Sequence, residues 1–184
     1  MKLGLNGKVA FVGGSSRGIG KAVARSFLSE GANVVITGRG PEALAQTAAE
    51  FRTEFGGDRL LAFEGDLTRA GPVDEALRQT GDLFGTIDCL VANIGNALTE
   101  ESGWNIPLES WDADMAFNFW SGVLLVQKAL PAMLEAGRGS IVFTNSIVGL
   151  ESHPTPIPYN VAKAALANYA KNLSVRLGTT GIRV

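Results

Sequence analysis

Apolar residues in this chain fall into short continuous runs, separated by longer segments in which apolar and polar residues recur at helical spacing. The apolar runs predict five β-strands, at residues 9–12, 34–37, 60–63, 87–91 and 140–144. Because the runs are continuous rather than alternating, they are typical of parallel strands that are buried on both faces.

The segments between the strands predict helices at residues 19–29, 41–55, 72–84, 108–135 and 159–177. Pro41 and Pro72 suit the first turn of a helix. Repeated strand-helix units predict a single α/β domain over residues 1–184, with a doubly wound parallel sheet of the Rossmann type between two helical layers. In such a fold, ligands bind beyond the carboxyl ends of the strands.

The C-terminal residues 181–184 predict the opening of a sixth strand, and the sequence stops inside it. A half-built strand leaves an open sheet edge. We therefore interpret the chain as lacking the C-terminal part of its fold.

The composition of the chain excludes some classes of function. The chain has 184 residues, of which 46% are hydrophobic and 18% charged, and this is enough for one packed core. A net charge of −2 indicates neither a nucleic-acid partner nor an anionic membrane. The sequence shows no signal peptide and no apolar run of transmembrane length, so it predicts a soluble cytoplasmic protein.

Three glycines follow the first predicted strand with the spacing Gly-x-x-x-Gly-x-Gly, namely Gly14, Gly18 and Gly20. Glycine allows a tight turn and a close approach of backbone N–H groups to a pyrophosphate, at the positive end of the next helix. This arrangement predicts a dinucleotide site that also includes Ser16, Arg17 and Ile19.

The end of the second predicted strand bears on the choice of cofactor. An NAD site would place a carboxylate near position 38 to bind the ribose hydroxyls, but Gly38 has no side chain. Arg17 and Arg39 instead offer guanidinium groups for a ribose 2′-phosphate, which favours NADP(H). The alternative is that both are solvated surface arginines.

Candidate acid-base chemistry lies near the last predicted helix. Tyr159 and Lys163 are four residues apart and share a helical face, and Ser146 lies thirteen residues before Tyr159. A free phenol has a pKa of about 10, and a nearby cation favours its ionised form. Tyr159 could therefore exchange a proton with substrate, while Ser146, after the fifth strand, could hydrogen-bond a substrate oxygen.

The motifs described above occur in the same order as those of the short-chain dehydrogenase/reductase family. The chain resembles that family from residue 8 to residue 184. The resemblance implies that Asp66, followed by Leu67, contacts the adenine. It also implies that Asn93 and Gly95 line the cofactor, because they match two positions of the family motif Asn-Asn-Ala-Gly. The chain departs from the family at three positions: Gly13 replaces a threonine, and Ala92 and Ile94 replace the first asparagine and the alanine of that motif.

The resemblance further implies a catalytic tetrad of Asn118, Ser146, Tyr159 and Lys163. In that scheme, NADPH supplies a hydride to a carbonyl carbon, and Tyr159 donates the proton. Lys163 would hold the nicotinamide ribose, and Asn118 would support a water relay. Asn118 lies between aromatic residues in a predicted helix, and the alternative reading is a hydrogen-bonded core amide.

The substrate expected from this resemblance is a small carbonyl compound or secondary alcohol. Residues 96–107 and 149–158 follow strands and are predicted to border its pocket. Apolar residues on several faces of the helices at 108 and 159 indicate burial against a second surface, and the resemblance implies that these helices pair in a homodimer or homotetramer. Two alternatives remain: an NADP-binding sensor or scaffold without turnover, and epimerisation or dehydration through transient oxidation.

Overall fold

Parallel strands form a single sheet in the computed structural model, which describes residues 3–98 and 103–184. In spatial order the sheet reads β3-β2-β1-β4-β5-β6. The bounds are β1 Val9–Val12, β2 Asn33–Gly38, β3 Leu60–Glu64, β4 Cys89–Ala92, β5 Gly139–Phe143 and β6 Ile182–Arg183. The predicted sixth strand is confirmed, since Ile182 pairs with Gly139 and Arg183 with Ser140.

Helices cover both faces of the sheet, so the predicted three-layer α/β/α fold is confirmed. Their bounds are α1 Gly18–Ser29, α2 Pro41–Phe55, α3 Ala70–Phe84, α4 Leu108–Met115, α5 Ser121–Glu135 and α6 Ile157–Leu177. One apolar cluster joins α1 and α2 to the sheet through residues such as Leu28 and Phe51. A second cluster lies around Phe11, Leu125 and Met133.

The sheet order creates a crevice at its centre. After β1 the chain builds outward to β2 and β3, and then returns to place β4 on the other side of β1. The loops that follow β1 and β4 therefore separate at the carboxyl edge, which is where such sheets bind ligands.

The single helix predicted over residues 108–135 is interrupted. Residues Ala116–Trp120 between α4 and α5 form a π-helical turn, and Asn118 is its buried residue. Such turns inside helices are frequent at functional sites.

Burial of β5 also differs from the prediction. Val142 is 52% exposed, so the strand is not buried on both faces. The reason is local: β6 pairs only with Gly139 and Ser140, so among the described residues the second half of β5 has no strand beside it on that side.

Residues 3–98 and 103–184 contain no helix with both the length and the apolar character that crossing a bilayer requires.

Candidate active site

A cleft of about 570 Å³ opens at the carboxyl edge of the sheet, around the crevice between β1 and β4. The loops after five strands and one face of α6 contribute to its wall. Of the predicted site residues, it is lined by Gly14, Ser16, Arg17, Gly18, Ile19, Arg39, Asp66, Leu67, Asn93, Gly95, Tyr159 and Lys163. Residues separated by more than 140 positions in the sequence thus border one cavity.

Three side-chain contacts hold the glycine loop after β1 in place. The Gly14 N–H donates a 2.9 Å hydrogen bond to Oγ1 of Thr37, and Nδ2 of Asn93 donates a 3.0 Å bond to the Gly14 carbonyl. Oγ1 of Thr47 donates to the Ser16 carbonyl at 2.7 Å. Thr37 therefore fixes the loop in a chain where Gly13 replaces the family's threonine.

Gly20 contributes by close packing and does not line the cleft. A Cβ at this position would lie 2.6 Å from Nδ2 of Asn93 and 2.9 Å from Cα of Ser15. The first turn of α1 can therefore lie against the loop only because residue 20 is glycine. The N-terminal end of α1 then faces the cleft, next to Arg17, and its free N–H groups favour an anion.

Arg39 and Lys163 lie at opposite ends of the cleft, because Arg39 follows β2 and Lys163 contacts the end of β5, with β1 and β4 between these strands. Its guanidinium carbon is 4.6 Å from the centre of the Phe117 ring. Burial by itself would raise the pKa of Asp66 nearby, but hydrogen bonds from Thr68 and the positive charges of Arg39 and Arg69 lower that pKa overall. This end of the cleft therefore combines guanidinium groups, an ionised carboxylate and an aromatic face.

At the other end of the cleft, Lys163 is buried with 3% of its surface exposed. Its Nζ donates a 3.1 Å hydrogen bond to the Thr144 carbonyl and lies 5.8 Å from the centre of the Tyr159 ring. Burial lowers the pKa of Lys163 to about 8. The predicted proximity of this amine to the Tyr159 phenol is therefore present in the fold.

Asn118 lies behind the cleft wall, with 1% of its surface exposed. Its Oδ1 accepts the Asn96 N–H at 2.9 Å, and its Nδ2 donates to the Asn96 carbonyl at 2.9 Å. The side chain is thus a hydrogen-bonded amide that holds the loop after β4. Oδ1 also lies near Gly95, as Nζ of Lys163 does, so Asn118 and Lys163 approach the same glycine.

Ser146 is not among the residues that line the cleft. It precedes a short 3₁₀ turn, Ile147–Gly149, and the cleft wall beside Lys163 is formed by Thr144 and Asn145. Of the two segments predicted to border a substrate pocket, only one contributes residues to the cleft. Asn96 and Leu98 line the cleft, residues 149–158 do not, and residues 99–102 lie outside the described part of the chain.

Sequence reasoning missed several residues that shape this site, namely Thr37, Asp114, Phe117 and Thr144, and it placed Asn96 at the pocket without its backbone role. One of them had a signal, because Asp114 precedes Asn118 by four residues and a buried asparagine requires polar partners. Asn96 and Thr144 act through backbone atoms, which side-chain identity does not reveal.

Comparison with known proteins agrees with this geometry. The family model described as short chain dehydrogenase matches residues 8–184. The chain belongs to the short-chain dehydrogenase family. It is 32% identical to the bovine dehydrogenase/reductase SDR family member 4, over 98% of this chain and 64% of that protein. It is 35% identical to the Arabidopsis thaliana short-chain dehydrogenase reductase 3a, over 99% of this chain and 70% of that protein.

Solved structures of short-chain dehydrogenases superpose closely on this one. L-sorbose reductase from Gluconobacter frateurii, complexed with NADPH and L-sorbose, gives a TM-score of 0.93 at 33% identity, over 100% of this chain and 69% of that one. A Caenorhabditis elegans family member solved with cofactor gives 0.93 at 31% identity, over 98% and 68%. Members of this oxidoreductase family bind nicotinamide cofactors, and this chain spans about two thirds of the lengths of these relatives.

Proposed function

We propose that this protein is an NADP(H)-dependent oxidoreductase, which reduces a small-molecule carbonyl or oxidises the matching secondary alcohol. The observation that carries the proposal is the single cleft, with Arg17 and Arg39 at one end and Tyr159 beside Lys163 at the other. Its glycine loop and helix N-terminus suit a pyrophosphate between these ends.

The residues at the Arg39 end support a 2′-phosphate rather than free ribose hydroxyls. A carboxylate at position 38 would bind those hydroxyls, but a Cβ there would lie 2.8 Å from Cβ of Ser16. Position 38 therefore has no room for an acidic side chain unless Ser16 moves. Arg17 and Arg39 both line the cleft and can bind a phosphate by charge-assisted hydrogen bonds.

Bound NADPH would supply the hydride, and the chain's own residues would manage the proton and the charge. Tyr159 donates its phenolic proton to the oxygen of the reduced carbonyl. The Lys163 ammonium, 5.8 Å from the ring centre, stabilises the phenolate that remains. Ser146, the residue after the cleft-lining Asn145, would have to turn towards bound substrate to hydrogen-bond its oxygen, and Asn118 would support proton return through the loop that it holds.

The test uses NADPH oxidation with a panel of ketones and aldehydes, and NADP reduction with secondary alcohols. Tyr159→Phe removes the proton donor and is expected to lower kcat by about a hundredfold or more. Tyr169→Phe is the matched control on the same helix, because Tyr169 packs against Phe119 and Phe143 rather than lining the cleft. Equal activity in the two variants would overturn the assignment of Tyr159.

A second candidate function is NADP binding without turnover, as in a sensor or scaffold. The observation that favours it is the position of Ser146 outside the cleft lining. NADPH binding detected by fluorescence, with no turnover across the panel in either direction, would select this candidate over the enzyme.

We also propose assembly into a homodimer or homotetramer through the helices that follow residue 108. Trp120 is 55% exposed, and Val161 and Val175 on α6 are exposed as well. Exposed apolar side chains on these helices are what an association surface requires. Sedimentation equilibrium measures the mass directly, and a mass of one chain would exclude the proposal.

A further inference from the structure

Asp114 is a completely buried carboxyl group on α4, one helical turn before Asn118. Its Oδ1 accepts hydrogen bonds from Nδ2 of Asn118 at 3.0 Å and from the Leu98 N–H at 3.4 Å. Its Oδ2 has no hydrogen-bond partner in the described part of the chain. Burying a carboxyl group with one oxygen unpaired is unfavourable, so stability alone does not explain an aspartate here.

The partners of Asp114 belong to the wall of the cleft. Asn118 holds Asn96 through both the N–H and the carbonyl of its backbone, and Asp114 itself holds the N–H of Leu98. Asn96 and Leu98 both line the cleft. Two consecutive turns of helix thus hold two alternate residues of the loop after β4.

We propose that Asp114 is a positioning residue, which fixes the Asn118 amide and, with it, the cleft-lining backbone of Asn96 and Leu98. Oδ1 of Asp114 is an acceptor, so it attracts the NH₂ end of the Asn118 amide and leaves the oxygen end for the Asn96 N–H. The catalytic consequence rests on the proposed function, because Asn118 and this loop act on the reaction only if the cleft turns over a substrate.

This role predicts that stability and activity respond in opposite directions. Leucine has the branching of aspartate without the polar oxygens, so Asp114→Leu removes both the buried carboxyl group and the hydrogen bonds to Leu98 and Asn118. The variant should fold at least as stably as wild type, since it removes a buried carboxyl group with an unpaired oxygen, and the N–H of the exposed Leu98 can hydrogen-bond to water instead. Its loop should nevertheless be held less firmly.

The first measurement is amide hydrogen exchange of Asn96 and Leu98, which needs no turnover. Asp114→Leu is expected to raise both exchange rates by about tenfold, the factor that one lost hydrogen bond supplies. Asp114→Asn keeps the Oδ1 acceptor and should restore near wild-type exchange. Asp112→Asn changes an exposed carboxylate on the same helix and should leave both rates unchanged. Wild-type exchange rates in Asp114→Leu would overturn the proposal.

The second measurement is kinetic and separates positioning from cofactor binding. With a substrate found in the carbonyl panel, Asp114→Leu should lower kcat by about tenfold, because small displacements of active-site groups have large effects on rate. The Kd of NADPH should change by less than about twofold, since Asp114 does not line the cleft. The positioning role of Asp114 would be contradicted by a wild-type kcat in Asp114→Leu. A lowered melting temperature together with lowered activity would also contradict it. If the wild type shows no turnover, the proposed function fails and the exchange rates still decide the role of Asp114.

Discussion

Nζ of Lys163 donates a 3.1 Å hydrogen bond to the carbonyl oxygen of Thr144 in an almost completely buried environment. One carbonyl replaces only part of the hydration of an ammonium group, and the burial lowers the pKa of Lys163 to about 8. The amine therefore loses its proton near pH 8, whereas an exposed lysine would stay charged to well above that pH. This property connects the stability of the fold to the chemistry proposed for Tyr159.

The first prediction concerns how stability depends on pH. The lysine loses its proton near pH 8 in the folded chain but near its ordinary value of 10.5 in the unfolded chain. Between pH 8 and pH 10.5 the unfolded chain binds more protons than the folded chain, so the free energy of unfolding rises with pH. The unfavourable burial of the ammonium is fully present below about pH 8. Across this interval the free energy of unfolding should increase by at most about 3 kcal/mol.

Lys163→Met provides the reference for this measurement, because methionine fills similar space without the charge. Burial raises the pKa of Cys89 and of Tyr169, so both titrate in an overlapping window with the opposite sign. Their effects cancel when the free energy of unfolding of Lys163→Met is subtracted from that of wild type. In urea unfolding from pH 7 to 10.5, the free energy of unfolding of wild type minus that of Lys163→Met should increase with pH. A difference that does not change with pH would contradict the burial of a titrating amine.

The second prediction concerns Gly95, which separates Lys163 from Asn118. A Cβ on Gly95 would lie 2.6 Å from Nζ of Lys163 and 3.0 Å from Oδ1 of Asn118. Gly95→Ala should therefore displace the ammonium and lower kcat by about a hundredfold, while the backbone conformation itself tolerates alanine. Steady-state kinetics and circular dichroism together separate this effect from unfolding.

Gly81→Ala is the control for a glycine-to-alanine change. Gly81 lies in α3 with no atom within 4 Å of an added Cβ. Alanine should stabilise that helix by about 0.5–1 kcal/mol and leave kcat unchanged. If Gly95→Ala behaves like Gly81→Ala, the close approach around Lys163 has no part in catalysis.

Much of the fold was predictable from the sequence because burial imposes a pattern on residue types. The predicted bounds of β1 and α2 match the observed ones, since apolar runs, Pro41 and Gly56 mark those boundaries chemically. The π-helical turn Ala116–Trp120 was not predictable in this way, because a shift of backbone hydrogen bonds by one residue leaves no signature in side-chain type. Exposure of Val142 was missed because it depends on where β6 stops pairing.

The candidate site was predictable where a side chain has an unusual requirement. The glycine spacing and the Tyr159–Lys163 pair both identify residues that line the cleft, since each function needs those residue types at that separation. The position of Ser146 relative to the cleft depends on the 3₁₀ turn beside it, and spacing along the chain does not encode that turn. Asn118 holds Asn96 through the backbone atoms of Asn96, which any residue type would supply.

The third prediction concerns the choice between NADPH and NADH. Arg39→Gln removes a guanidinium group at the end of the cleft where Gly38 provides no carboxylate. If Arg39 binds a ribose 2′-phosphate, the Kd of NADPH should rise by about 10- to 100-fold, the loss expected for a charge-assisted hydrogen bond, while the Kd of NADH should change little. Fluorescence titration with both cofactors measures the two constants.

Arg52→Gln is the charge-matched control for Arg39→Gln. Arg52 lies in the last turn of α2 and does not line the cleft, so its loss changes the net charge equally without changing the site. Its Kd for NADPH should stay within about twofold of wild type at moderate ionic strength. An equal rise for NADPH and NADH in Arg39→Gln would assign Arg39 to the adenosine as a whole and not to a 2′-phosphate.

The fourth prediction concerns Thr37, whose hydroxyl accepts the Gly14 N–H at 2.9 Å and is 1% exposed as a residue. Thr37→Val keeps the shape but leaves that N–H without its partner, which should destabilise the protein by about 1–3 kcal/mol and raise the Kd of NADPH through a looser glycine loop. Thr37→Ser retains the hydroxyl and should restore both values.

Thr80→Val is the control that separates the loss of the acceptor for the Gly14 N–H from the loss of a buried hydroxyl in general. Thr80 is also fully buried, but its Oγ1 only donates to the Ala76 carbonyl within α3. Removing it leaves no N–H unpaired, so the loss of stability should be smaller and the Kd of NADPH unchanged. Thermal unfolding and fluorescence titration test both variants, and an unchanged Kd in Thr37→Val would show that the glycine loop is held without Thr37. If Thr37→Val alone weakens binding, the hydroxyl that holds Gly14 takes over the role of the threonine that Gly13 replaces.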